Sequence, residues 1–141
     1  SRRVALAINR MWGTASSTSV VGADGLSAPC DFVGGDVTIK GGTFTLGGDA
    51  DGYGNSVIES KGGNITIEGG FFQTDYSWNG KYYVLNQNNS DPGTITVKGG
   101  TFVNYDPSKG DDNLGGNFVA DGYKVVTETH GSDTWYTVVA K

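Results

Sequence analysis

The 141-residue chain has little of what several protein classes require: it contains one cysteine, one methionine, one histidine and three prolines. Cys30 alone cannot form an intrachain disulfide, and one histidine with one distant cysteine supplies neither a zinc-ligand set nor a Cys/His nucleophile. No apolar run in the sequence approaches the roughly 18 residues needed to span a bilayer. We therefore expect no membrane insertion, no metal and no cofactor.

Positive charge is also scarce, and it is unevenly placed. The net charge is −5, yet the first ten residues carry three arginines, and no Lys or Arg occurs between Arg10 and Lys40. The acidic body repels phosphate backbones, which predicts no nucleic-acid binding. The basic arm could still contact an acidic partner.

Glycine and β-forming side chains are abundant instead. The chain has 24 glycines, and Val, Ile, Thr, Phe and Tyr outweigh Leu and Ala. These side chains suit a pleated, half-buried surface, so the composition predicts an all-β fold.

An internal repeat dominates the pattern: VTIKGGTF at 37–44 recurs as ITIEGGFF at 65–72 and ITVKGGTF at 95–102. Apolar residues alternate with Thr or a charge until Gly-Gly interrupts, so the apolar positions and the final Phe are expected to face inward. Gly-Gly suits a corner. Aligned copies would stack Val37 with its equivalents Ile65 and Ile95, and the three phenylalanines in another column.

A second feature keeps step with the first, since an apolar pair follows each corner Phe, at 57–58, 84–85 and 118–119. Each pair implies a further strand, and Gly/Asp/Asn-rich links join the strands. A unit of roughly 28 residues with three short strands predicts a β-solenoid of about three coils. An antiparallel β-sandwich whose strands share sequence is the alternative.

The two ends depart from the repeat. Residues 1–30 are read as an N-terminal arm that can include a degenerate first coil, 31–123 as the solenoid repeats, and 124–141 as a C-terminal hairpin cap. Trp135 would either fill the open end or face a neighbouring subunit. Because the sequence lacks an initiator Met, we expect a processed protein or part of a longer one.

The three Gly-Gly-x-Phe copies resemble those of right-handed parallel β-helix proteins, particularly the repeats of gut bacterial surface proteins and of phage fibre or head-associated proteins. The resemblance covers residues 36 to about 123. It implies a short right-handed parallel β-helix but no particular activity, because such folds host lyases, hydrolases, adhesins and fibres.

Catalysis on a β-helix needs acidic or basic groups at equivalent outward positions of successive coils. Those positions hold three threonines, then Lys40, Glu68 and Lys98, then Thr43, Phe71 and Thr101. One carboxylate gives no acid/base pair, so no enzyme is predicted, and the charges suit cross-strand pairing. The segment DADGYGN at 49–55 begins like a calcium loop but lacks the distal bidentate Glu.

The most unusual segment is FFQTDYSWNGKYY at 71–83, with six aromatic residues in thirteen. Phe71 replaces Thr at an outward position, and rings beside acidic and amide groups can stack on a sugar or pack against a protein. Local packing, subunit contact and glycan binding all stay open. The candidate ligand- or partner-binding residues are Phe71, Asp75, Tyr76, Trp78 and Tyr82.

The expected function is a non-catalytic structural or adhesive module of an extracellular surface or virion, forming a homo-oligomer or part of a larger assembly. The alternative is a carbohydrate-active β-helix fragment, of lyase or hydrolase type, or a glycan-binding module. A carboxylate pair in a cleft would favour that alternative.

Overall fold

The computed structural model describes residues 18–20, 23–26, 30–33, 35–46, 56–74, 83–110 and 116–141. Within these ranges every regular element is a β-strand except one 3-10 turn at Pro107–Lys109. The predicted all-β class is therefore confirmed. No helix in the described ranges has the length and apolar character to cross a membrane.

Thirteen strands follow one another along the described chain, and eleven of them are short. They are β1 Thr18–Val20, β2 Ala23–Leu26, β3 Cys30–Val33, β4 Asp36–Ile39, β5 Gly42–Leu46, β6 Ile58–Lys61, β7 Asn64–Ile67, β8 Phe71–Thr74, β9 Leu85–Gln87, β10 Thr94–Val97, β11 Thr101–Val103, β12 Tyr123–His130 and β13 Asp133–Ala140.

The strands form three sheets, and the chain visits them in rotation. One sheet has the order β1-β4-β7-β10, a second β3-β6-β9, and a third β12-β13-β11-β8-β5-β2. From β4 to β11 each strand pairs in parallel with the strand three before it. The third sheet is mixed, because β13 runs antiparallel to both β11 and β12.

The repeated sequence sets the register of the first sheet. Val37 aligns with Ile65, and Ile65 with Ile95. This column and the next one, formed by Ile39, Ile67 and Val97, are between 0% and 6% exposed. Because alternate residues of a strand face opposite sides, the intervening threonines lie on the outer face, and the predicted apolar columns are confirmed.

Phenylalanine forms the corresponding column in the third sheet. Phe44, Phe72 and Phe102 are fully buried, and successive ring centroids lie 5.0 and 4.9 Å apart with interplanar angles of 8° and 10°. Each ring therefore packs against its equivalent in the neighbouring strand, as predicted, and stacking adds to the burial of apolar area.

The two glycines of each corner serve different purposes. The second one has a positive φ, 115° at Gly70 and 93° at Gly100, which other residues rarely adopt. In the second and third corners the first glycine lies against the preceding repeat: a Cβ at Gly99 would fall on the backbone carbonyl of Glu68, and one at Gly69 on that of Lys40. Close approach of the repeats thus requires the first glycine in these two corners.

The predicted apolar pairs are confirmed in two of three cases. Val57–Ile58 and Val84–Leu85 are buried, and their second members begin β6 and β9. The third prediction is wrong, because Phe118 and Val119 begin no strand beside β9. Val119 instead makes an isolated parallel bridge to Val97, whose amide donates to the Phe118 carbonyl at 2.8 Å, so this segment extends the first sheet.

The C-terminal hairpin has the predicted strands and turn. β12 and β13 pair along their whole length around Gly131 and Ser132, and Gly131 has a φ of 62°. Val138 is 4% exposed and belongs to the core. Tyr123, Val125 and Tyr136 pack against that core from the same face of the hairpin.

Candidate functional site

Phe71 lies on the outer face of the third sheet, at the start of β8. It aligns with Thr43 of β5 and Thr101 of β11, and it is half-buried while the adjacent Phe72 points into the core. It is the one predicted site residue within the described ranges. The other four predicted residues lie outside them: Asp75, Tyr76, Trp78 and Tyr82.

The neighbour of Phe71 is a ring from the hairpin. Its centroid lies 5.0 Å from that of Trp135, at an interplanar angle of 70°, which is the edge-to-face geometry that aromatic pairs prefer. Trp135 aligns with Val103 of β11. Trp135 therefore lies on the outer face and does not fill the open end of the strand stack, one of the two positions predicted for it.

His130 covers Trp135 from the turn side. The two ring centroids are 3.7 Å apart with an interplanar angle of 18°. The Nε2 of His130 lies 2.9 Å from Oε1 of Glu128, although the approach lacks hydrogen-bond geometry. This contact is an ion pair only when the imidazole is protonated. We call Phe71, Trp135 and His130 the aromatic row.

The aromatic row joins the repeats to the hairpin. Trp135 has His130 stacked on it and Phe71 packed edge-to-face, so both neighbours restrict access to the indole. Beside Phe71, Thr101 of β11 aligns with Thr137 of β13, and their hydroxyl oxygens lie 3.0 Å apart. The departure from Thr at position 71 is thus accounted for by packing within the chain, and an additional partner at Phe71 stays a prediction.

Sequence reasoning did not find Trp135 as the neighbour of Phe71, nor His130 as the neighbour of Trp135. The sequence predicts Trp135 either at the open end or against a neighbouring subunit, and it assigns no contact to His130. The available signal was the hairpin register: Glu128, His130 and Trp135 fall on one face once residues 130 and 133 close the turn. The long-range step to Phe71 requires β13 to pair with β11, which no local pattern indicates.

A second cluster surrounds Glu59 on the sheet β3-β6-β9. The Nδ2 atoms of Asn86 and Asn88 lie 3.4 Å from its two carboxylate oxygens, and the Nζ of Lys61 lies 3.8 Å away. Asn86 is 4% exposed, and its Oδ1 has no partner among the described residues. Asp31 aligns with Glu59 in the neighbouring parallel strand.

Sequence reasoning missed Glu59 because all the predicted outward positions flank the Gly-Gly corner. The signal lay in the second repeating feature, where the apolar pair 57–58 is followed by Glu59 and the pair 84–85 by Asn86. Neighbouring parallel strands lie about 4.8 Å apart, so aligned side chains on one face are adjacent. The arrangement offers hydrogen-bond acceptors and donors for a polar ligand.

The outward charges near the corners do not pair as expected. Lys40, Glu68 and Lys98 are exposed. The contacts between oppositely charged groups in the described ranges instead join Lys61 to Glu59 and, when the imidazole is protonated, His130 to Glu128. Each charged residue follows the last residue of its strand, where solvent competes with cross-strand pairing.

A cleft of about 350 Å³ lies between the inner face of β12 and the turn at Asp106. Asp106 accepts from the amide and the hydroxyl of Ser108, at 2.9 and 2.6 Å, so its carboxylate caps the 3-10 turn. Across the described ranges, no three His, Cys, Asp or Glu side chains are grouped so that they could hold a metal.

The chain was compared with family models, with curated proteins and with solved structures, and no match was found.

Proposed function

We propose that the chain is a non-catalytic structural or adhesive module of an extracellular surface or a virion. In this proposal β1 to β11 form the coils of a short right-handed parallel β-helix, with three strands in each complete coil. The hairpin is its C-terminal cap. The module would act as a rigid spacer, decoration or adhesin within a larger assembly.

The β-helix is supported by the rotation of the chain through three sheets. Parallel pairing of strands three apart, with equivalent residues of the repeat in register, is what one coil stacked on the next requires. The right-handed sense follows the strong preference of parallel crossover connections, about 98% of which are right-handed.

The cap is supported by contacts at the last strand of each sheet. β13 pairs with β11, Val119 bridges to Val97 of β10, and the hydroxyl of Tyr105 donates to the Leu85 carbonyl of β9 at 3.3 Å. A solenoid needs such partners, because its last coil otherwise leaves unpaired backbone groups and an apolar cross-section.

The observation that carries the structural role is the continuous phenylalanine stack of Phe44, Phe72 and Phe102. Three fully buried rings in register, together with two buried aliphatic columns, form a close-packed core, which suits a rigid spacer. The outer location rests on the resemblance of the repeat to surface and virion proteins.

Immunogold electron microscopy with antibodies raised against the folded chain tests the proposed location. Label on the outside of intact cells or particles is expected, and label confined to the cell interior would overturn the surface role. A glycan array tests the adhesive version. Retention on a glycan should be lost when Tyr76 and Trp78 are replaced by Ala, and a wild-type chain that binds no glycan leaves the spacer role alone.

A glycan-active module is the second candidate, and the cluster at Glu59 favours it. Glu59 supplies a carboxylate held by the amides of Asn86 and Asn88, and Asp31 occupies the aligned position of the neighbouring strand. Two carboxyl residues are what most glycosidases use. Release of reducing ends from polysaccharides that is lost in Glu59→Gln but kept in Glu68→Gln would establish this activity. Equal release by both variants, or none by the wild type, would remove it.

A further inference from the structure

The outermost strand of the third sheet is β12, and one of its edges pairs with no other strand of the described ranges. Its sheet ends with the order β12-β13-β11, and residues 126–129 of the strand are exposed. Val126, at 42% exposure, is the one large exposed apolar side chain among the described residues. An eight-residue edge of this kind is able to accept another strand.

The hydrogen-bond pattern between β12 and β13 determines which backbone groups of β12 face that edge. The amide of Lys141 donates to the Gly122 carbonyl at 2.9 Å, so Gly122 belongs to a hydrogen-bonded pair with β13. Such pairs alternate along an antiparallel ladder. The even-numbered residues of β12 therefore bond to β13, while Val125, Thr127 and Thr129 direct their amides and carbonyls outward.

We propose that β12 pairs antiparallel with β12 of a second copy of this chain, about a two-fold axis at Val126. In this register Lys124 lies opposite Glu128 of the partner subunit, and the same pair recurs across the axis. Val126 meets Val126 of the partner subunit. The third sheets of the two copies then form one continuous sheet.

The register satisfies the backbone and the side chains together. Val125 lies opposite Thr127 of the partner subunit, and both carry outward-facing amides and carbonyls, so they form the hydrogen-bonded pairs. Lys124, Val126 and Glu128 occupy the pairs without hydrogen bonds, where side chains approach most closely. On the same face, Glu128 aligns with Trp135 of the aromatic row.

Charge complementarity distinguishes this register from its neighbours. A slip by two residues would place Val126 opposite either Lys124 or Glu128 of the partner subunit and would separate the opposite charges. Single charges on an edge strand ordinarily discourage pairing. On β12 the lysine and the glutamate lie four residues apart with a valine midway. They therefore complement each other when β12 pairs with β12 of a second copy.

Sedimentation equilibrium of the full chain between about 10 µM and 1 mM tests the proposal, because an edge contact of this size makes a weak dimer. The wild-type chain should form a dimer whose fraction rises with protein concentration. Lys124→Glu and Glu128→Lys should each weaken the dimer about tenfold, since each places like charges opposite one another twice. The double variant should restore dimerisation.

Thr127→Pro separates pairing from folding. It removes an amide that faces the free edge and leaves the bonds to β13 in place, so it should abolish the dimer while circular dichroism keeps its β-sheet signal. The proposal is overturned by a wild type that stays monomeric throughout, by open-ended polymers, or by a double variant no better than the single ones. A dimer that persists in a folded Thr127→Pro variant also overturns it.

Discussion

The parallel repeats and the antiparallel hairpin differ in strand length and in how many side chains they bury. Strands β4 to β11 have three to five residues each, yet their inward side chains are almost all buried. The hairpin strands have eight residues each, and among them only Val138 is buried in the core. The stability of the repeats depends on packing between residues distant in sequence. The stability of the hairpin depends on the hydrogen bonds between β12 and β13 and on a few contacts with the repeats.

Besides the pairing of β13 with β11 and the packing of Val138 in the core, two sets of side-chain contacts hold the hairpin to the repeats. One is the aromatic row, and the other is Asn104, which follows β11. Asn104 has a φ of 56°, its side chain donates to Asp133 at 3.0 Å and accepts from the amide of Thr134 at 2.9 Å. The repeats and the hairpin should therefore respond very differently to substitution.

The largest effect is expected from Phe72→Ala, which removes the middle ring of the buried stack. A buried Phe→Ala change costs about 3 to 5 kcal/mol, so the free energy of unfolding measured with urea should fall by that amount. Phe71→Ala, one residue away on the outer face, should cost about 1 kcal/mol. Equal losses in the two variants would mean that the inward and outward assignments of β8 are wrong.

Gly99→Ala should have the next largest effect. Its methyl group would meet the Glu68 carbonyl, and such overpacking costs about 1 to 3 kcal/mol. Gly41→Ala is the matched control, because no heavy atom of the described residues, its chain neighbours aside, lies within 4 Å of its Cβ position. Thermal melting should separate the two, and a Gly99→Ala variant as stable as Gly41→Ala would show that the repeats do not approach each other at this corner.

Asn104 tests the tie between repeats and hairpin. Asn104→Ala loses two side-chain hydrogen bonds and strains a positive φ, so we expect a loss of about 1 to 2 kcal/mol. Asn104→Gly loses the same bonds without the strain and should be the milder variant. Hydrogen exchange should accelerate in β12 and β13 more than in β7. Uniform acceleration would indicate that the hairpin and the repeats unfold as one unit.

The smallest effect should be the coupling between Phe71 and Trp135. A double-mutant cycle with Phe71→Thr and Trp135→Thr isolates their interaction, and an edge-to-face pair contributes about 0.5 to 1.5 kcal/mol. The cycle for Phe71 and Val126 serves as the control and should give no coupling. Additive losses for Phe71 and Trp135 would show that the aromatic row does not join β8 to the hairpin.

The repeat could be predicted from sequence, because alternation and Gly-Gly recur at equivalent positions and each copy constrains the others. The hairpin could be predicted because its turn chemistry is local. The position of Val119, the contact of Trp135 with Phe71 and the cluster at Glu59 could not be, since each depends on which strands become neighbours. Register between distant segments is fixed by the packed structure and leaves little trace in local spacing.

Through-hydrogen-bond coupling in NMR tests the stacking of the repeats most directly. The amide of Glu68 donates to the Ile39 carbonyl, and that of Lys98 to the Ile67 carbonyl, both at 2.7 Å. We predict scalar couplings between the amide nitrogen of residue 68 and the carbonyl carbon of residue 39, and likewise between residues 98 and 67. Couplings that instead join these amides to antiparallel partners would contradict the parallel stack.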